Sequence, residues 1–563
     1  AKLLKIIFFI LINMGIALSF PYINQNLVDK GILANNKSIV LLFIASQLML
    51  FFSDTIISII RNRLLLKVNA KISLHIVSNF LKKLLSLPIR FFDSKSVGDV
   101  TQRIQDHQRI QQFLTGDLIN SAFAILELII YNILLFYYQI KIGILFIILG
   151  TAGILWIFRF QKKRARLDYM LFNQNRTYQE KLHELVIGMQ EVKLYGSEDF
   201  KRWEWEFIQQ KLFRLNIKSL SLEQWQHTGF VFFSYLKNIL ISYFTAIAVI
   251  NGQLSLGIML SVSYIIGATN GPLEQLVNFF KNAQNANLSL SRLQEVHQKQ
   301  SEEVNKHNAH VFELAEIPAS IEVSNVSFQY NGPRSSYVLK DIQFTIPKGK
   351  ITAIVGESGS GKTTLMKLLL GFYKPVQGTI QINGINLSDI NPYYWRSLCG
   401  TVMQDGYIFY DTIKRNICLD GKEVDKDKFT EACTIANVDE FVQNVPLGYK
   451  TLIGSSGLGL SGGQKQRILI ARAVYKNPQF IFFDEATSSL DANNEHQIMA
   501  HLQTFFKDKT VLIIAHRLST VKNADNIIVL EKGHLIEQGT HQQLVQKKGN
   551  YFRLVKNQLE LGD

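Results

Sequence analysis

Six apolar runs mark the first half of the chain: about Leu3–Phe20, Ile39–Ile60, Leu118–Tyr138, Ile140–Phe158, Phe230–Ile250 and Leu254–Phe280. Each can cross a hydrocarbon core, for which roughly 20 helical residues suffice. The first is not a cleaved signal peptide, because Pro21-Tyr22-Ile23-Asn24 is no small-residue cleavage site and five more runs follow. Connections between the runs are uneven. Gln139 alone separates the third and fourth, and Asn251-Gly252-Gln253 the fifth and sixth, whereas long polar segments at 61–117 and 159–229 separate the second from the third and the fourth from the fifth. Leu64, Val68, Ile72, Ile76 and Phe80 form an i, i+4 row, so the spans are expected to continue as helices beyond the membrane. From about Ile321 the pattern changes to short β-branched runs alternating with helical ones, as in a soluble α/β domain.

Composition reinforces this division. The 563 residues are 47% hydrophobic and 19% charged, which excludes a disordered chain, and 35 Gly with 10 Pro exclude a collagen-like one. Mean hydropathy is only +0.09, an average over two unlike halves. Of the +15 net charge, residues 1–318 supply 33 basic against 22 acidic side chains. Interleaved with apolar runs, this excess marks basic cytoplasmic loops and not a nucleic-acid footprint. Arg61, Arg63, Lys67, Lys71, Lys82, Lys83 and Arg90 lie in one polar segment, and Arg159, Lys162, Lys163, Arg164 and Arg166 in the other. The positive-inside bias therefore places both segments and both termini in the cytoplasm. Cys399, Cys418 and Cys433 lack disulfide or zinc spacing and read as reduced thiols. Asp54, Glu127 and Lys237 fall inside spans, where charge is costly; they read as interhelical partners or as a polar cavity wall.

The chemistry lies in the second half. The strand-like Ile351–Val355 runs into Gly356-Glu357-Ser358-Gly359-Ser360-Gly361-Lys362-Thr363-Thr364 and then a helical Leu365–Leu370. Glycines in this strand–loop–helix context let backbone N–H groups curl around phosphate oxygens, with the helix N-terminus adding a favourable dipole. Lys362 can reach the β/γ-phosphates, and the Thr363 hydroxyl can ligate Mg²⁺. A second apolar strand, Phe480–Phe483, ends in Asp484-Glu485, which puts Asp484 by the Mg²⁺ shell and Glu485 in the general-base position. Leu460-Ser461-Gly462-Gly463-Gln464 precedes another helix and gives a second phosphate-facing N-terminus.

With these three motifs, residues 319–563 resemble an ABC-transporter nucleotide-binding domain, so ATP and Mg²⁺ are the implied cofactors. The resemblance implies that Tyr330 stacks on adenine and that Gln404 links Mg²⁺ to the membrane domain. It implies that Ser461, Gly462 and Gly463 close on nucleotide held by the opposite subunit, that Asp491 is a dimer contact, and that His516 touches the γ-phosphate. In one place the chain departs: Thr451-Leu452-Ile453-Gly454-Ser455 has Ser where exporters commonly have Glu.

Taken whole, the chain is similar to an ABC exporter half-transporter: an α-helical membrane domain of six transmembrane helices, then an α/β P-loop NTPase domain. The expected division is 1–285, a linker at 286–318, and 319–563. Phe91-Phe92-Asp93, Gly98-Asp99-Val100, Arg103-Ile104 and Asp106–Gly116, with Gly188–Gly196 and Trp203–Glu206, look like the intracellular loops of bacteriocin and peptide exporters. Short coupling helices are expected near Thr101–His107 and Glu191–Glu198. The resemblance is nearest to peptidase-containing transporters, whose N-terminal cysteine peptidase has no room here, so no proteolysis is expected of these residues. It implies a homodimer with two equivalent ATP sites in a bacterial cytoplasmic membrane. Such a dimer would sit among lipids and export a bacteriocin-like peptide by alternating access. Export of lipids or amphipathic drugs, or a non-transporting membrane ATPase, are the rival readings.

Overall fold

The computed structural model describes residues 2–93, 97–302, 319–419, 421, 423–515 and 521–560. Two compact units divide the chain: residues 1–87 with 91–300, and residues 301–563 with 88–90.

The first unit is helical. Among the described residues, six helices are long and apolar enough to cross a membrane. Helix α1 (Lys2–Asn26) passes into a π-helical segment, Leu27–Ile32, and α2 runs from Lys37 to Leu85. Then come α3 (Val97–Gln112), α4 (Leu118–Tyr138), α5 (Ile140–Phe158), α6 (Gln161–Ile187), the short α7 (Met189–Leu194), α8 (Glu198–Ile250), α9 (Leu256–Ala268) and α10 (Asn270–Gln298). At ~1.5 Å per residue, the 53 residues of α8 extend about 80 Å, far beyond a ~30 Å hydrocarbon core. The spans thus continue as helices, as the i, i+4 row implied. The sixth span is interrupted at Thr269, because Pro272 has no N–H for the carbonyl four residues back. Helix α10 then continues past residue 285 to Gln298. Of the two short helices expected in the polar segments, the second is present as α7, with 195–197 forming a turn before α8, whereas Thr101–His107 is the middle of the 16-residue α3 and makes no short helix of its own.

Small residues let helices approach. A Cβ on Gly257 would stand 2.5 Å from the Gln25 carbonyl, so α1 and α9 pack closely there. Asp29 fixes the same junction by accepting from the Ser255 hydroxyl (2.6 Å) and the Gly257 N–H (3.0 Å). Beyond the apolar segments, α3 is tied to α10 by polar bonds. Arg103 donates to Glu295 and to the Arg292 carbonyl, both at 2.7 Å, while the fully buried Asp106 accepts from Ser289 (2.7 Å) and Arg292 (3.1 Å). Lys237 is completely buried, with its ammonium 4.6 Å from the centre of the Phe146 ring.

The second unit holds two main sheets. β1 (Ile321–Phe328), β2 (Leu339–Ile346), β4 (Gln377–Ile382) and β5 (Ile385–Asn386) make an antiparallel sheet in the order β2-β1-β4-β5. β3 (Ile351–Val355), β6 (Cys399–Val402), β9 (Phe480–Asp484), β10 (Thr510–Ile514), β11 (Asn526–Glu531) and β12 (His534–Gly539) make a six-stranded sheet in the order β12-β11-β3-β10-β9-β6. All its pairings are parallel except β11 with β12. Successive residues of its strands enter opposite cores: Ala353, Phe483 and Ile513 on one face, Ile354, Phe482 and Leu512 on the other. Burial on both faces is why these strands read as unbroken apolar runs. A small two-stranded antiparallel sheet, β7 (Asp411–Thr412) with β8 (Leu452–Ile453), completes the strands among the described residues.

Register places the chemistry. Ile514 on β10 lies opposite Ile354 of β3 and Asp484 of β9, so the chain leaves all three strands at one edge. That edge, outside the carboxyl ends of parallel strands, is where open α/β sheets bind ligands.

Candidate functional site

At this edge the loop 356–361 connects β3 to α11 (Lys362–Leu369). Its three glycines do different work. A Cβ on Gly356 would lie 2.1 Å from the Leu530 carbonyl oxygen, and one on Gly361 2.6 Å from Leu339 Cδ2. Both are demanded by the close passage of neighbouring chain. Gly359 also has a left-handed φ of +79°, yet nothing stands within 4 Å of its Cβ position, so it faces open space. Ser358 is exposed, whereas Ser360 is buried and its Oγ has no hydrogen-bond partner among the described residues. No side chain caps the first turn of α11, so its N–H groups are available to an anion.

Lys362 folds back across the loop, its Nζ donating to the carbonyls of Gly356 (2.8 Å) and Glu357 (2.9 Å). Burial holds its ammonium below the usual lysine range, and Glu485 and Asp484 oppose that shift. The Thr363 hydroxyl donates to Asp484 Oδ2 at 2.8 Å, which joins the β3 and β9 motifs. Thr364 Oγ1 shares a 3.1 Å hydrogen bond with the Tyr330 hydroxyl. The Tyr330 ring stands edge-on to Phe328 and Tyr373, with centroids 4.9 and 5.2 Å away.

Glu485 follows β9 with φ +51°, a left-handed conformation that costs a non-glycine residue roughly 1–2 kcal/mol. Its N–H donates to the Ile514 carbonyl (3.1 Å), and its carboxylate accepts from Gln404 Nε2 (3.1 Å). Strain of this kind persists where the surroundings over-determine the backbone. His516 lies outside the described residues, just beyond β10.

The second glycine turn is built differently. Ser461 caps α12 (Gly462–Tyr475) in a reciprocal box with Gln464, each backbone N–H bonded to the other's side chain. Cβ atoms on Gly462 and Gly463 would lie 3.2 Å from Ser489, so this turn packs on the loop that follows Glu485. Asp491 caps α13 (Ala492–Phe505) through the Asn494 N–H at 3.0 Å. Ser455 is exposed in a turn closed by the Gly457 N–H on the Gly454 carbonyl.

One site residue was not singled out from sequence. Gln466 is buried on α12 and bonds the Glu485 carbonyl, Ser488 and the Ser489 N–H. Only its burial distinguishes it from the many polar residues of surface helices.

Comparison with known proteins agrees with this geometry. The ABC transporter family matches residues 339–488, and the ABC transporter transmembrane region matches residues 3–273. The exotoxin translocation ATP-binding protein PaxB of Pasteurella aerogenes is 32% identical over 546 residues, covering 97% of this chain and 76% of that protein. The alpha-hemolysin translocation ATP-binding protein HlyB of Escherichia coli O157:H7 is 31% identical over 542 residues, covering 95% and 75%. A bacterial Atm1-family ABC exporter, solved with ATP bound, has a TM-score of 0.91 and 26% identity over 99% of this chain and 98% of that one.

Proposed function

The chain belongs to the ABC transporter family as an ATP-driven, multi-pass membrane exporter, and on that premise we propose that its cargo is a polypeptide. The observation that carries this reading is the set of relatives named for toxin translocation, which align over nearly the whole chain. Those names speak of toxins and not of bacteriocins, so the cargo is proposed as a polypeptide without a bacteriocin identity.

Each chain has one phosphate loop and one Ser461-Gly462-Gly463-Gln464 turn. In this reading the active assembly is a homodimer in which each ATP lies between the loop of one chain and the turn of its partner. The exposed Ser461 cap suits that role, because its side chain is spent on its own helix while the N-terminal amides face outward. The N–H groups of 356–364 and the Lys362 ammonium hold the phosphates, and Tyr330 lies against the adenine. Glu485 takes a proton from the attacking water, Asp491 meets the partner chain, and His516 reaches the γ-phosphate. Thr363 Oγ1, the Asp484 carboxylate 2.8 Å from it, and Gln404 are hard oxygen donors that fit Mg²⁺. That ion takes only one or two protein ligands beside phosphate and water, and when bound it neutralises phosphate charge. Both termini and both long polar segments face the cytoplasm of a bacterium, as the basic bias implies. ATP binding closes the paired domains and turns the cavity outward, and hydrolysis resets it.

Secretion tests the cargo. Cells carrying the chain with a candidate neighbouring polypeptide should export that polypeptide, and Glu485→Gln should abolish export while leaving protein levels unchanged. Equal export by the Glu485→Gln cells would contradict the proposal.

A further inference from the structure

Glu485 keeps its left-handed φ of +51° only while its neighbours hold it there. Its N–H is anchored to β10 through Ile514 and its carboxylate to Gln404, both groups of the sheet edge. Its carbonyl is held from elsewhere, by a side chain of the helix that begins at Ser461. Gln466 Nε2 donates to the Glu485 carbonyl (3.1 Å) and to Ser488 Oγ (3.0 Å), while Gln466 Oε1 accepts from the Ser489 N–H (2.9 Å). Both N–H bonds and the oxygen of one amide are thus committed to a five-residue stretch, and the residue is only 8% exposed. One turn earlier, Gly462 and Gly463 press on Ser489 of the same stretch.

We propose that Gln466 is a positioning residue that sets the backbone of Glu485, so that displacement of α12 is passed within one chain to that chain's own hydrolytic carboxylate. This rests on the two-chain site proposed above. The Ser461 turn of a chain serves the ATP of its partner, while Glu485 of the same chain serves its own ATP. Gln466 therefore links the two sites of the dimer: closure of the turn on one nucleotide adjusts the general base beside the other. Misplacement of a reacting group by about 1 Å costs on the order of 100-fold in rate, so a single hydrogen bond at this carbonyl has leverage.

Gln466→Glu isolates the contact. The new carboxylate still accepts from the Ser489 N–H and the Ser488 hydroxyl, but has no proton for the Glu485 carbonyl. With the purified full chain, kcat for ATP should fall roughly 10- to 100-fold in both Gln466→Glu and Gln466→Ala, with KM little changed. A Gln466→Glu protein with wild-type kcat would overturn the proposal.

Mixed dimers carrying two affinity tags then test the direction of the link. With Gln466→Ala on one chain and Glu485→Gln on the other, the sole remaining Glu485 lacks its support, and activity should drop by the single-variant factor. With both substitutions on one chain, the other chain keeps both residues, and activity should return to that of a wild-type/Glu485→Gln pair. Equal activity of the two arrangements, or the reverse order, would overturn transmission within the chain. Failure to recover any mixed dimer would instead overturn the two-chain reading, since the kcat of the single variants reports on Gln466 without it.

Discussion

Adding one methyl group at each of two glycines in the phosphate loop should separate folding from binding. In Gly361→Ala the new Cβ would lie 2.6 Å from Leu339 Cδ2 and 3.3 Å from the Val338 carbonyl, on a backbone with φ +102°. The backbone penalty is about 1–2 kcal/mol. Overpacking against the buried Leu339 adds about 1–3 kcal/mol. Gly359→Ala carries a similar backbone penalty at φ +79°, but its Cβ meets nothing within 4 Å. At roughly 2–4 °C per kcal/mol for a unit of this size, the packing difference should lower the melting of Gly361→Ala by about 2–12 °C more than that of Gly359→Ala. Nucleotide affinity should show the reverse emphasis. The Gly359 methyl projects into the open space over the loop, where phosphate oxygens would lie, and should weaken ATP at least about tenfold, or ~1.4 kcal/mol. Scanning fluorimetry of the full chain without nucleotide, and titration with a fluorescent ATP analogue, read the two quantities separately. If Gly359→Ala bound ATP as well as the wild type, or melted as low as Gly361→Ala, the division of labour among these glycines would be wrong.

Further expectations follow from single contacts. Burial lowers the Lys362 pKa, so above that depressed value the folded protein holds fewer protons than the unfolded chain; the destabilisation is full at lower pH and relieved as pH rises toward the ordinary lysine value of about 10.4. ATP affinity has the opposite trend and should fall with rising pH before an ordinary lysine would titrate, a fall that Lys362→Arg should remove if the variant binds ATP at all. Trp395 is buried and donates to the Leu369 carbonyl at 2.9 Å, so Trp395→Phe should destabilise the second unit by about 1–3 kcal/mol, seen as a lower denaturant midpoint. Lys237 sits on the Phe146 ring without a hydrogen-bond partner among the described residues, and Lys237→Met should therefore match or exceed wild-type stability in detergent. Loss of substrate-stimulated ATPase in that stable variant would mark Lys237 as part of a cavity and not as a packing residue.

The parts legible in the sequence were those written in neighbouring residues. Ile351–Val355, the glycine loop and Lys362–Leu369 announce strand, loop and helix in order because every contact defining them is local. The membrane spans were legible for the same reason: hydrophobic length is a property of a segment. What escaped depends on partners far apart in the chain. Asp29 meets Ser255 across 226 residues, and Gln466 reaches Glu485 through the turn of a buried helix, whereas the Thr363–Asp484 bond, spanning 121 residues, was foreseen because both motifs point to one Mg²⁺. Asp491 shows a further limit. Its motif marked it as a contact between chains, yet within one chain its carboxylate already caps α13, a task that any Asp before a helix can perform. The break at Thr269 was hidden because α9 and the first turn of α10 share one apolar run, and Pro272 alone signals the interruption.

The proposed coupling is of ATP hydrolysis at this site to movement of a polypeptide across a membrane. Its most direct test is the purified chain in sealed liposomes with the nucleotide-binding unit outward, given ATP, Mg²⁺ and a labelled candidate polypeptide. Protected polypeptide should accumulate in the lumen in proportion to ATP hydrolysed, and none should accumulate with Glu485→Gln. Hydrolysis at full rate with no accumulation, or an ATP-gated current without vectorial uptake, would contradict it.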